Sequence, residues 1–390
     1  MTDAGPTLVI CARAPPQIGG TGTVMYELLR HFPEGSFVLF MRAQPKNISR
    51  DDRVLPVRTF EVGRAGSMVY ATVFRMLLLP LLVLSIVRRV KSIGRPPRNI
   101  LAVHPDLDFL LASLFLSKLL RVPIFVYLHD CIVETATQVF DKTPARIAQK
   151  LVFRNASKVY AMSAPMEKYY RDRGLRAEAL PHGVDASLMR APSPGPCSAK
   201  PRIGFAGVVY ETNGSAIVDL VDAKRAMGGG IELLLATSSQ SIPYLKRLGV
   251  FGALDKVSTL GTRSEMLDFL ASCDILFVPM SFESPNYKDL LTIFPTKVTD
   301  YWLAQRPVLV YGPREYAFVR LAEADGYAKV VTERGGEGIA KAIRELCSSP
   351  KLRESLVAES RKMIRLHDAS ALARRLMTDL GIQSEDGGRA

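Results

Sequence analysis

Residues 294–313 read FPTKVTDYWLAQRPVLVYGP. The helical run TKVTDYWLAQ stops at Arg306-Pro307, because proline lacks the N–H a helix needs and pushes its predecessor toward extended backbone. The apolar run VLVY follows and ends in Gly-Pro, a turn signal. Helix, tight break and buried strand together form the half-unit of a parallel α/β sheet. This helix also carries one acid, Asp300, near its start, with Lys297 just before it. An ordinary surface helix needs neither. A ligand bearing both phosphates and a hydroxylated sugar uses both: a carboxylate accepts two hydrogen bonds from a diol, and an ammonium pairs with phosphate.

The same alternation extends along the chain. In the first half, residues 7–12 (TLVICA), 37–41 (FVLFM), 99–103 (NILAV), 123–128 (PIFVYL) and 158–162 (KVYAM) read as buried strands. Helical patterns at 23–31, 68–89 and 108–120 lie between them. Residues 190–201, RAPSPGPCSAKP, are rich in Pro and Ser and lack periodicity, which reads as a linker. Beyond it, strands are expected at 202–207, 231–236, 257–260, 275–279, 308–311 and 328–331. Helices are expected at 215–227, 242–248, 264–271, 296–304 and 338–347, with a long one at 352–380. Uninterrupted apolar strands separated by helices predict an α/β chain of two Rossmann-like, doubly wound parallel-sheet domains facing a cleft, with ligands beyond the carboxyl ends of the strands. The expected boundaries are 1–190, a linker at 191–201, 202–365, and a C-terminal helix and tail at 366–390.

The totals are consistent with this. A chain of 390 residues with 48% hydrophobic content favours two packed domains and excludes wholesale disorder. Lys and Arg exceed Asp and Glu by 51 to 38, a net charge of +13 that suggests an anionic partner such as a nucleotide or a phospholipid head group. No arginine-rich tail or aromatic-basic interleaving is present, so nucleic acid is not expected as a partner. The five cysteines are scattered, without CxxC spacing, so neither a disulfide framework nor a zinc site is expected and a reducing cytoplasm is the natural setting. No signal peptide is read at the start. Residues 68–87, MVYATVFRMLLLPLLVLSIV, approach the length of a membrane span but are broken by Arg75 and Pro80, and RRVKSIGRPPR follows. Three readings stay open: a buried α/β helix, a helix docked on an anionic membrane surface, and a span.

Several motifs fall where chemistry gathers. IGGTGT at 18–23 follows strand one and precedes a helix, so Gly19 and Gly20 let a ligand approach the backbone, or simply make a tight turn. It is not GxGxxG. No acid follows strand two, although Arg42 leaves an NADP-like reading open. His104 and His129 end their strands (ILAVH, FVYLH), and Asp130 can orient His129 or cap the next segment. LPHGVD at 180–185 reads alone as a turn. IGFAG at 203–207, then VVYETNG, is a strand entering a glycine-bearing loop that can cradle phosphate. In residues 280–297, MSFESPNYKDLLTIFPTK, Glu283 is a second hydroxyl acceptor, and Lys288 and Lys297 are phosphate partners; a solvated loop is the plain alternative.

In this order the motifs resemble the GT-B glycosyltransferases, most nearly the retaining GT4 nucleotide-sugar transferases, over nearly the whole chain. The Gly19-Gly20 loop is similar to that family's N-terminal glycine loop, and His104 and His129-Asp130 to its strand-end histidine positions. MSAPMEKYYRDRG (162–174) and LPHGVD are similar to the end of its first domain, with His182 in place of Asn. DILFVP (274–279) resembles its strand before the acidic motif, and TDYWLAQRPVLV its "EAMAxGxPVV", with Asp300 at the ribose-binding acid and Gln305 at the glycine. Where the family has Arg and Lys beyond the Gly207 loop, this chain has Val208 and Asn213. The resemblance therefore puts Lys297 and Arg263 against the diphosphate. Thr292 stands eight positions before Asp300, where the family's paired acid falls, and Glu283 lies further upstream.

The resemblance implies glycosyl transfer with retention from a nucleotide sugar to a glycan or lipid-linked acceptor, as in bacterial-type polysaccharide or glycolipid assembly. It implies His104, His129 and Asp130 at the catalytic end, with Gly19, Gly20, Gly207, Asn213, Arg263, Glu283, Thr292, Lys297 and Asp300 around the donor. No cofactor or metal is implied, the nucleotide sugar being a co-substrate. The C-terminal helix would cross back to the first domain, and the work would be cytoplasmic, with an anionic membrane surface as a further partner. The alternatives are a catalytically degenerate sugar-nucleotide binder, a GT-B epimerase and an NAD(P) dehydrogenase.

Overall fold

The computed structural model describes residues 5–15, 20–43, 54–63, 72–136, 139–192, 197–284 and 287–383. The chain divides into two compact units, Met1–Gly183 with Ala369–Ala390, and Val184–Asp368. The 190–201 stretch thus lies within the second unit, its residues 193–196 falling outside the described ones.

Unit 1 runs β1 (Thr7–Cys11), α1 (Gly20–Leu29), β2 (Phe37–Arg42), β3 (Thr59–Val62), α2 (Thr72–Leu77), α3 (Leu79–Lys91), β4 (Asn99–His104), α4 (Leu107–Leu120), β5 (Ile124–Leu128), α5 (Val139–Asn155), β6 (Lys158–Ala161), α6 (Ala164–Arg171) and β7 (Glu178–Ala179). Its seven strands are all parallel in the order β3-β2-β1-β4-β5-β6-β7. Successive residues of β1 serve opposite cores. Leu8 and Ile10 pack with Ile100, Ala102 and Val126 on one face; Val9 and Cys11 pack with Leu101, Val103 and Tyr127 on the other. Burial on both faces is why these strands read as unbroken apolar runs.

Unit 2 runs β8 (Arg202–Ala206), α7 (Gly214–Ala226), β9 (Glu232–Ala236), α8 (Ser241–Arg247), β10 (Lys256–Ser258), α9 (Arg263–Ala271), β11 (Ile275–Pro279), α10 (Tyr287–Leu290), α11 (Lys297–Leu303), β12 (Val308–Tyr311), α12 (Ala317–Ala324), β13 (Ala328–Val331), α13 (Gly336–Ser348) and α14 (Pro350–Leu366). Its parallel six-stranded sheet has the order β10-β9-β8-β11-β12-β13. Both sheets change direction beside their first strand, β1/β4 and β8/β11. There the connections diverge and leave a crevice at the carboxyl edge.

Two helical expectations are corrected. The run 352–380 is not one helix: α14 ends at Leu366, and α15 (Ala369–Asp379) packs against α1 in unit 1. The chain passes between the units at His367-Asp368, where Val184 N–H donates to the His367 carbonyl at 2.7 Å. The run 68–89 is two helices, α2 and α3, interrupted at Leu78 ahead of Pro80, with 64–71 outside the described residues. Among the described residues no helix is long and apolar enough to cross a membrane.

Candidate active site

In unit 2 the crevice edge is built by Gly207, just past β8, and by the first turn of α11. Gly207 has φ +138°, a conformation side chains rarely adopt. A Cβ there would stand 3.0 Å from Lys297 Nζ. The ammonium lies 4.3 Å from the Phe205 ring centroid, a cation–π contact. Burial pulls its pKa down to about 7. Among the described residues it has no carboxylate partner. A lysine held beside a glycine loop without an acid is positioned for an anion from outside the chain.

One turn on, Asp300 is engaged. Arg263 Nε and Nη2 both donate to Asp300 Oδ1, at 3.1 and 3.0 Å, and both residues are buried. Arg263 is thus held by the acid. Its helix α9 is fixed by a capping box: Glu265 N–H donates to Thr262 Oγ1, and the Glu265 carboxylate accepts from Thr262 N–H. Asn213 is turned inward to its own loop: Oδ1 accepts from Tyr210 N–H and Nδ2 donates to the Val208 carbonyl, both at 3.0 Å. Glu283 is exposed and paired with Arg334 at 2.6 Å. Thr292 is buried. Lys288 is exposed on α10. Lys297, Gly207, Asp300 and Arg263 therefore come together, while Asn213 closes a loop and Glu283 makes a surface ion pair.

Gln305, in place of the expected glycine, keeps the left-handed backbone a helix end favours, with φ +56°. The strain is offset by side-chain bonds: Nε2 donates to the Trp302 carbonyl and Oε1 accepts from Arg361 Nε, both at 2.6 Å.

In unit 1, Gly20 is the exposed first residue of α1, and Gly19 lies outside the described residues. His104 ends β4 and His129 directly follows β5, joined by a backbone bond from His129 N–H to the His104 carbonyl at 3.2 Å. Both are buried, and none of their four ring nitrogens makes a hydrogen bond among the described residues. Each such group costs on the order of 1–3 kcal/mol unless a water or ligand satisfies it. Burial lowers the pKa of His104 to about 4; for His129, burial and the neighbouring His104 lower it to about 3. Both are neutral near pH 7 and suited to hydrogen bonding with hydroxyls. Asp130 has its pKa raised by burial, partly opposed by Arg13.

Their acid response follows from linkage. Folded pKa values below the unfolded 6.5 mean the unfolded chain binds more protons, so this contribution is intact above pH 6.5 and lost as pH falls through 6.5 toward 4. We expect about 2 kcal/mol lost per imidazole at pH 5. Urea titrations at pH 7 and pH 5 should show it, and His104→Gln/His129→Gln should flatten the difference.

The sequence pattern missed an ionic cluster beside these histidines. Asp106, at the N-cap position of α4 but making no capping bond, faces Arg13 at 3.0 Å, Arg42 at 3.3 Å and Arg75 at 3.6 Å. Arg42 also pairs with Asp108 at 2.9 Å and stacks on Phe109. Arg42 is thereby committed to protein carboxylates, which removes the charge argument for an NADP-like site. The visible signal was HPDLD at 104–108, two acids at the mouth of a strand.

The model of Glycosyltransferase Family 4 matches residues 18–188, less than half of the chain. No curated protein sequence matches. Solved structures match over nearly the full length. Sucrose-phosphate synthase from Thermosynechococcus elongatus is 16% identical at TM-score 0.72, with 96% of this chain and 98% of that one covered. Anabaena HepE in complex with UDP-glucose is 16% identical at TM-score 0.71, with 96% and 99% covered. The trehalose 6-phosphate synthase from Burkholderia multivorans is 13% identical at TM-score 0.69, with 97% and 98% covered. These neighbours are GT-B glycosyltransferases. The chain is a GT-B-fold protein whose residues 18–188 match Glycosyltransferase Family 4.

Proposed function

We propose that the chain transfers a sugar, with retention, from a nucleotide-sugar donor held by unit 2 to a glycan or lipid-linked acceptor presented by unit 1. The reading is carried by Lys297, a desolvated ammonium with no acid partner among the described residues, set against the Gly207 loop at the sheet's switch point. UDP-glucose bound to HepE, on the same fold at 16% identity, supports the donor class. Lys297 supplies the positive charge that grows in value as the diphosphate departs, in place of the divalent ion other transferases use. The N-terminus of the 13-residue α7 opens at the same edge and adds its dipole. Asp300, with one oxygen fixed by Arg263, keeps the other for the ribose diol.

The His104 and His129 ring nitrogens, which have no hydrogen-bond partner among the described residues, supply hydrogen bonds to the acceptor or the transferred sugar, with Asp130 beside them. Neither is a nucleophile. The setting is cytoplasmic, at the inner face of a membrane, in polysaccharide or glycolipid assembly. Incubating the protein with radiolabelled nucleotide sugars, with and without membrane extract, tests this. Label moving to an acceptor only when extract is present supports transfer. Isomerisation of the donor alone would indicate an epimerase, and saturable binding without turnover a degenerate binder.

A further inference from the structure

Three of the five cysteines, Cys11, Cys131 and Cys273, are buried, while Cys197 and Cys347 are partly exposed. These two thiols meet: the Cys347 S–H donates to the Cys197 sulfur. Each is held from its own side. Cys197 lies on the strap that leads into β8, and the next residue, Ser198, donates from its N–H and its hydroxyl to Asp274 Oδ1, both at 3.2 Å. The other Asp274 oxygen accepts from Arg202 N–H at 2.8 Å, which fixes the strap against the start of β11. Cys347 lies in the last turn of α13. The buried Arg353 holds that turn, its Nη1 donating to the carbonyls of Leu346 and Cys347 at 2.6 and 3.0 Å. Sulfurs in hydrogen-bond contact are already near the roughly 2.05 Å of a disulfide, a gap that side-chain rotation can close.

The electrostatics make Cys197 the attacking sulfur. The hydrogen bond from Cys347 holds its pKa below the usual thiol range, opposed by burial and assisted by Arg353. The same bond raises the pKa of Cys347. The thiolate, not the thiol, attacks a disulfide.

We propose that Cys197 and Cys347 are a reversible redox site, whose disulfide staples the strap before β8 to the end of α13. The oxidant is a small-molecule disulfide such as oxidised glutathione. The Cys197 thiolate attacks one of its sulfurs, forming a mixed disulfide and releasing one glutathione thiolate. Cys347 then gives up its proton and attacks the Cys197 sulfur, forming the internal bond and releasing the second glutathione. Two protein thiols are oxidised, one external disulfide is reduced, and the two thiol protons pass to the two glutathiones. In a reducing setting the pair rests as the free thiols of this structure. Both lie at the amino edge of the unit 2 sheet, where β8 and β11 begin, whereas Gly207 and Lys297 lie at the carboxyl edge. Closure therefore acts on the stability of unit 2 and leaves the crevice alone.

The test is incubation of the full chain with oxidised glutathione, followed by intact mass, peptide mapping and melting. We expect loss of two hydrogens, a single Cys197–Cys347 cross-linked peptide, and full reversal by dithiothreitol. The bond closes a loop of roughly 150 residues, so the oxidised chain should melt at least about 5 °C above the reduced one. Cys347→Ser should stop at the mixed disulfide on Cys197, gaining one glutathione. Cys197→Ser should stay largely unmodified, because the thiolate that attacks is gone. Wild-type mapping stands by itself if either variant fails to fold. A bridge between other cysteines, no loss of hydrogens, or an oxidised chain that melts no higher would overturn the proposal. So would equal glutathione uptake by the two variants.

Discussion

Replacing Lys297 by methionine should weaken nucleotide-sugar binding about 10–100-fold, the range of one or two charge-assisted hydrogen bonds, while making the free protein more stable at pH 6. The two effects have one cause. The ammonium is desolvated beside Phe205 and Gly207, and its pKa falls from 10.5 to about 7. A folded value below the unfolded one means the cost of the charge is fully present below pH 7. It is relieved as pH rises from 7 toward 10.5, where the unfolded chain also loses its proton. Methionine fills the space without that cost, so Lys297→Met should gain on the order of 1–2 kcal/mol at pH 6, shrinking toward pH 10. The donor binds the protonated form. Wild-type affinity should therefore fall as pH rises from 7 to 9, by up to tenfold per unit, and Lys297→Met should show a flat profile. Titration with UDP-glucose, whose diphosphate does not titrate in this range, together with melting curves at both pH values, checks both halves. A purely structural lysine would destabilise on removal and leave no pH slope.

The second large effect is on stability. Asp300→Ala removes the carboxylate that accepts two bonds from the buried Arg263, and breaking such a pair costs about 3–5 kcal/mol. Arg263→Ala should cost a similar amount by stranding Asp300. The apolar pair Arg263→Met/Asp300→Leu should recover most of the loss, because it removes both desolvated charges. Denaturant titrations of the three variants measure this. The consequence for function is practical: Asp300→Ala confounds folding with ribose binding. Asp300→Asn keeps a hydrogen-bond acceptor toward Arg263, so its loss of donor affinity can be read directly. A double variant no more stable than either single one would show that Arg263 and Asp300 are not energetically coupled.

The sequence made the central strands visible because parallel strands covered on both faces are continuously apolar, as TLVIC, NILAV and ILFVP are. It did not reveal β3, whose TFEV runs at the sheet edge with two of four residues exposed, nor β7, only two residues long. Helix α5 escaped because Pro144 lies inside it, and the break after Leu366 was hidden by unbroken helical periodicity on both sides. His104 and His129 were legible from their positions at strand ends. The Arg13–Arg42–Arg75–Asp106–Asp108 cluster was not. Its members are up to 95 residues apart, and only the order β2-β1-β4 brings those strand ends side by side. Lys297 and Asp300 were singled out from one stretch, but the partner of Asp300, 37 residues earlier on α9, required the packing of α9 against α11. Arg263 was assigned to phosphate because local sequence shows a charge without showing what already neutralises it.

Calorimetric titration of the full chain with UDP, GDP and ADP, and then with the sugars of whichever binds, bears most directly on the donor site of unit 2. Saturable one-to-one binding of one nucleoside diphosphate is the predicted result, competed by its nucleotide sugar and weakened in Lys297→Met. Absence of binding across the panel by a protein with an intact melting transition, or binding that Lys297→Met leaves unchanged, would contradict it.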